Sequence, residues 1–177
     1  MNFKQRVQWY AMRVTYGREV KLKERLVALG MNCFLPMQYK EVVKKERVVR
    51  ILVPVVHNLI FIQSSRESMD ALKKQFEAIA PLRYMIDKAT NLPIVIPDQQ
   101  MHDFIAVAGT LDEQLIYLKD TNAAIHKGDR VQILKGVFAG VEGEVLRIKR
   151  DRRVVVTIKG ILSVATAYIP NSHLRKV

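Results

Sequence analysis

Apolar positions change their spacing several times along the chain, and each change predicts a new element. Residues 7–14, VQWYAMRV, read as a strand with Val7, Trp9 and Ala11 on one side and Tyr10, Met12 and Val14 on the other. The period then lengthens. Leu22, Leu26 and Leu29 fall at i, i+4 and i+7, Glu19 and Lys23 form an i,i+4 pair, and Gly30 is a helix stop, so a helix is predicted over 17–30. Residues 33–63 carry three β-rich runs, the middle one a hairpin turning at Lys44, Lys45 and Glu46. A second helix is predicted over 65–80, capped by Ser65 or Ser68, striped by Met69, Leu72 and Phe76, and stopped by Pro81. Residues 83–86 and 94–96 read as short strands, and 98–108 as a last helix with Asp98 as its cap. Strand–helix–strand–strand–helix–strand is an α+β pattern, an antiparallel sheet flanked by helices.

Residues 109–123, GTLDEQLIYLKDTNA, have weak periodicity and read as a linker, with Leu111, Leu115, Ile116 and Leu118 available to order part of it. Beyond it, five of the eight glycines lie between 128 and 160, among short β-branched runs: RVQIL, GEVLRIK, VVVTI and SVATAYI. That texture predicts a small five-stranded, SH3-like β-barrel. The expected organisation is therefore a domain over 1–108, a linker over 109–123 and a second domain over 124–177.

Charge sharpens the picture. The 177 residues hold 29 Lys and Arg against 17 Asp and Glu, a net +12, divided as +7 over 1–110 and +5 over 111–177. A field of that sign favours a polyanionic partner, and its even spread excludes a basic tail on a neutral body. No apolar run reaches the roughly 20 residues of a membrane span, and the amino-terminal stretch lacks the pattern of a secretory signal. Cys33, the single cysteine, excludes an internal disulfide and a multi-thiolate metal site, and a reducing cytoplasm is the expected compartment. The four histidines, His57, His102, His126 and His173, are scattered, and no H-E-x-x-H, G-x-S-x-G, P-loop or dinucleotide fingerprint occurs. Catalysis, cofactor and metal are all unexpected.

The densest constellation runs Gly128-x-x-Val131-x-Ile133-x-x-Gly136-x-Phe138-Ala139-Gly140-x-Glu142-Gly143-x-Val145. Val131 and Ile133 alternate toward an interior, and Gly136, Gly140 and Gly143 permit tight turns and positive φ. Phe138 either caps the barrel's open end or stands exposed as a partner contact. The segment resembles the KOW motif of transcription and ribosomal proteins. Trp9-Tyr10, Gly17, Asn32-Cys33-x-x-Pro36-Met37, the charged hairpin, His57-Asn58-Leu59-Ile60-Phe61-Ile62 and Ile96-Pro97 extend the likeness. Over nearly its whole length the chain resembles the NusG family, most of all its specialised RfaH-like and UpxY-like antiterminators.

That resemblance implies a binding role. The N-terminal domain would dock on the clamp helices of bacterial RNA polymerase and suppress pausing or termination, on a restricted set of operons of the capsular polysaccharide type. The KOW domain would tether a small-subunit ribosomal protein or the Rho factor, with Phe138 as its contact. The family's polymerase-binding stretch, Phe-Pro-x-Tyr-x-Phe-Val, aligns with Val56 to Ile62, where His57 replaces the proline and Leu59 the tyrosine. Val56, Leu59 and Phe61 are the residues it assigns to polymerase, the alternative for Leu59 and Phe61 being plain core. On the first helix Arg18, Lys21 and Arg25 fall at i, i+3 and i+7, and the resemblance turns that face toward the non-template DNA strand; a solvated face is the alternative. Residues 149–153, KRDRR, read as the tip of a barrel hairpin. The competing functions are a general NusG that recruits Rho and a KOW-type ribosomal or RNA-binding protein. In RfaH the C-terminal domain can pack as a helical pair, but RVVVTI at 153–158 has five β-branched residues in six, and strands are expected here instead.

Overall fold

The computed structural model describes residues 5–118 and 128–177; residues 119–123 of the expected linker, the start of the expected second domain and His126 lie outside them. Two compact units are present. One comprises the residues up to Pro36 with Pro54–Asp98, the other Met37–Val53 with the residues from Gln99 onward.

In the first unit β1 (Gln8–Val14) feeds α1 (Glu19–Ala28), followed by β2 (Cys33–Phe34) and, after an excursion into the second unit, β5 (Leu59–Ser64), α2 (Arg66–Phe76), β6 (Leu82–Tyr84) and β7 (Val95–Ile96). The sheet runs β2-β5-β1-β6, with β7 also on β1, and every pairing is antiparallel. Its centre is buried on both faces. Tyr10, Ala11, Met12 and Val14 of β1 and Leu59, Ile60, Phe61 and Ile62 of β5 are all buried, so successive residues of both parities face apolar neighbours. Burying each large side chain contributes roughly 1.5–3 kcal/mol.

The helices follow their predicted stripes, with shorter ends. Leu22 and Leu26 are buried, but α1 stops at Ala28 and leaves Leu29 54% exposed, because Gly30 adopts φ 71° one residue later. Met69, Leu72 and Phe76 form the buried stripe of α2, and the Ser65 side chain accepts the Ser68 amide at 3.1 Å. That helix ends at Phe76, short of Pro81.

In the second unit the hairpin β3 (Met37–Lys44) and β4 (Arg47–Pro54) turns through Lys45 and Glu46, both at positive φ. Helix α3 (Asp98–Ala108) opens in the first unit and continues here, burying Met101, Asp103, Phe104, Val107 and Ala108. His102, on the same helix, is exposed. Strands β8 (Ile116–Leu118), β9 (Arg130–Ile133), β10 (Glu142–Ile148), β11 (Asp151–Ile158), β12 (Leu162–Tyr168) and β13 (Leu174–Lys176) form one sheet in the order β13-β9-β10-β11-β12-β8. It has six strands where five were expected, because Ile116–Leu118, inside the predicted linker, pairs with Ser163–Ala165. Among the described residues no ladder joins β13 to β8, and 131–165 contains strands and no helix.

The glycines of the motif divide by cause. Gly136 and Gly140 sit at φ 90° and 92°, as a tight loop needs. Gly143 has no positive φ; there a Cβ would lie 2.6 Å from the Val155 carbonyl oxygen and 2.7 Å from Val154 Cγ1. At Gly128 a Cβ would overlap the Val145 carbonyl oxygen. These two are needed for close backbone approach rather than for turning, which corrects the expectation for Gly143. Gly143→Ala is expected to lower stability by about 1–3 kcal/mol through overpacking, and Gly140→Ala by about 1–2 kcal/mol through the left-handed backbone. Asparagine separates the causes in urea unfolding: Gly140→Asn recovers part of the alanine loss, whereas Gly143→Asn deepens it.

Candidate functional site

The turn that leads into β5 is fixed by its polar atoms. Asn58 adopts φ 63°, a conformation its short polar side chain tolerates, and its Oδ1 accepts the Gly17 amide at 3.0 Å. Its own carbonyl accepts the Val14 amide at 2.9 Å. One residue earlier, His57 Nδ1 lies 3.5 Å from Glu19 Oε1. Glu19 is 2% exposed in the first turn of α1, where the helix dipole favours a carboxylate, and its Oε2 has no hydrogen-bond partner among the described residues. The histidine that stands in the usual proline position therefore anchors the turn to α1.

Accessibility divides the three residues expected to meet a partner. Val56 is half-buried and His57 exposed, but Leu59 is 3% and Phe61 0% exposed. Leu59 lies opposite Arg13 and Phe61 opposite both Ala11 and Phe34, inside a sheet covered on each face. Expected as contacts, these two are core side chains in this structure. The accessible part of the stretch is its turn.

Arg18, Lys21 and Arg25 do come together. With Leu22, Phe76, Ala78, Ile79 and Ala80 they line a groove of about 430 Å³ between α1 and the segment after α2. All three cations are exposed. The Arg18 guanidinium donates to the Ile79 carbonyl and lies 5.4 Å from the ring centroid of Tyr16, which is 80% exposed. A groove with cationic walls, an apolar floor and an exposed aromatic at its rim suits a phosphodiester chain with unstacked bases. Sequence spacing found the three cations; Tyr16 was missed, although a tyrosine beside Gly17 in a turn with no apolar partner was a readable signal.

Phe138, expected at a partner contact, is 3% exposed, so in this structure it fills space within its own unit. The exposed apolar side chains of that loop are Leu134 at 42% and Val137 at 79%. Cys33 is half-buried, and burial pushes its thiol up while Lys23 draws it partly back. That is the environment of an inert thiol. Among the described residues no cluster of His, Cys, Asp and Glu is grouped to hold a metal, and no helix is long and apolar enough to cross a membrane.

A family model described as "Transcription termination factor nusG" matches residues 7–105, more than half of the chain. The chain belongs to the NusG family. It is 26% identical over 172 residues to the transcription termination/antitermination protein NusG of Thermus thermophilus, covering 87% of this chain and 91% of that one. Among solved structures it is similar to one described as "Domain interaction in Thermotoga maritima NusG", at a TM-score of 0.48, 18% identity, and coverage of 97% and 98% of the two chains. A chain of the MjSpt4:Spt5 complex aligns at a TM-score of 0.26 and 16% identity, over 96% of each.

In this member of the NusG family, Leu59→Asp is expected to cost more than about 3 kcal/mol, because it places a charge in an apolar interior without a partner. His57→Ala removes an exposed imidazole from beside the buried Glu19 carboxylate and is expected to cost about 1–2 kcal/mol, less than Leu59→Asp. Thermal melts followed by circular dichroism check both.

Proposed function

We propose that this protein binds transcribing bacterial RNA polymerase and suppresses pausing or termination, on a restricted set of operons of the capsular polysaccharide type. Membership of the NusG family carries the reading, and the relative from Thermus thermophilus is itself named for termination and antitermination. The N-terminal domain, 1–108, is the polymerase-binding part and meets the clamp helices through the accessible turn at Val56 and His57, beside α1. Leu59 and Phe61 act behind that turn, holding it in place. The histidine and leucine that replace the family's proline and tyrosine support a specialised member.

Arg18, Lys21 and Arg25, with Tyr16 at the rim, take the non-template DNA strand. The second domain is a KOW-type SH3-like barrel that tethers a ribosomal small-subunit protein or Rho, and Leu134 and Val137 are its exposed apolar contacts. The name of the Thermus relative favours a second reading, a general factor that recruits Rho.

Elongation by purified polymerase on a termination-prone template separates these. Longer read-through without Rho, and no stimulation of termination with it, is the expected result. Enhanced Rho-dependent termination assigns the general role, and an absence of both effects without co-purification of polymerase overturns the proposal. For the groove, Arg18→Ala/Arg25→Ala is expected to weaken single-stranded DNA binding about tenfold and to lower the salt slope by about 1.4, the share of two phosphate contacts. Fluorescence anisotropy across a salt series measures it.

A further inference from the structure

One rung of the first unit's sheet sets two arginines directly across from each other. In the ladder of β1 with β6, Met12 faces Tyr84, Arg13 faces Arg83 and Val14 faces Leu82. The Met85 amide donates to the Ala11 carbonyl at 3.0 Å and the Thr15 amide to the Pro81 carbonyl at 3.3 Å, so regular bonding brackets the rung on both sides. Partners in such a ladder stand ~5.5 Å apart at Cα, with their side chains on one face. Like charges in that position weaken the pairing.

Both arginines are exposed, and none of the ion pairs among the described residues includes either of them. On the other edge of β1, Arg13 faces Leu59, the first residue of β5, and the next residue, Val14, donates its amide to the Asn58 carbonyl. The pair therefore adjoins the turn at Val56 and His57, in the same unit. Further along the same face stand Ala11, Phe61 and Trp9, all buried. Neither a track of cations nor an exposed ring accompanies the arginines there.

A like-charge pair fixed by its own sheet and left without a counter-ion is a local conflict of the kind folds keep at functional sites. We infer that Arg13 and Arg83 together bind one carboxylate of an acidic side chain on the polymerase, beside the contact made by the Val56–His57 turn. This contact rests on the polymerase-binding role proposed above and gives that docking surface a charge requirement. Each guanidinium presents a planar fork of N–H donors, so two side by side grip both oxygens of a carboxylate and offset their own repulsion. A polynucleotide is met by charge repeated along its backbone and by rings for its bases. This face offers a single charged point bordered by apolar side chains, which suits one acidic residue of a protein surface. The groove on α1 uses other cations, Arg18, Lys21 and Arg25.

The test measures binding of the full chain to purified bacterial RNA polymerase by biolayer interferometry across a salt series, with single-stranded DNA binding followed in parallel. Arg13→Gln/Arg83→Gln is expected to weaken polymerase binding about tenfold and to flatten its salt dependence, leaving DNA binding unchanged within about twofold. Arg83→Glu turns the like-charge rung into an opposite-charge one. It is expected to hold or raise the melting temperature and to weaken polymerase binding at least as far, because Arg13 is then engaged within the sheet. Lys88→Gln/Lys159→Gln removes equal charge at exposed positions elsewhere and changes polymerase affinity by less than about twofold. Unchanged polymerase binding by the folded Arg13/Arg83 double variant overturns the inference, and so does an equal loss in the Lys88/Lys159 control. A loss of DNA binding as large as the loss on polymerase assigns the pair to nucleic acid and overturns it too. Failure of the unsubstituted chain to bind polymerase overturns the functional reading itself, and this contact with it.

Discussion

The antiparallel ladder between β1 and β5 is the constraint on which the first unit depends. Six successive pairs, from Gln8 with Ser64 to Arg13 with Leu59, hold two strands whose side chains are apolar on both faces. A one-residue slip would invert every side chain and move Tyr10, Met12 and Phe61 to new neighbours, so the register is strongly specified. That register also sets where function can sit. At the Leu59 end of the ladder the chain must turn, and the hydrogen bonds of Asn58 to Gly17 and Val14 fix that turn beside α1. The strand interior is thereby committed to packing, and the accessible surface at this end belongs to the turn and to the helix next to it.

Charge is distributed on the same logic. The buried stripes of α1 and α2 hold no cations, so the net +12 is left largely to exposed surfaces. On α1 the cations share a groove with an apolar floor and a tyrosine at the rim. At the β10–β11 tip they crowd a turn with two residues at positive φ. The hairpin of β3 and β4 differs: Arg50 stacks 4.0 Å over the Tyr39 ring and pairs with Glu113, so its chemistry is directed inward to its own unit.

Much of the architecture was legible from periodicity. The Met69, Leu72 and Phe76 stripe, the Ser65 cap and the strands across 131–165 follow from spacing and β-branching alone, because local propensity and tertiary packing agree there. Where they diverge, the reading faltered. Leu59 and Phe61 alternate like a half-exposed strand, yet a sheet covered on both sides gives no sign of that in a six-residue run. Gly143 looked like a turn glycine because a sequence carries no record of how near Val155 passes. Ile116–Leu118 has strand composition but gained its place from a long-range partner, Ser163–Ala165, that no local window contains. Of the candidate site, the three α1 cations were readable from helical spacing; Tyr16, and the pairing of Glu19 with His57, required the fold to bring distant segments together.

The central claim is that the turn ahead of β5, and not the strand itself, meets RNA polymerase. A photo-crosslinker attached at His57→Cys in a Cys33→Ser background tests it most directly, with Lys88→Cys in the same background as the comparison. The account predicts a crosslink from position 57 to polymerase in the elongation complex and none from position 88. Crosslinks from 88 alone, or from neither position while the protein still co-purifies with the enzyme, would contradict it.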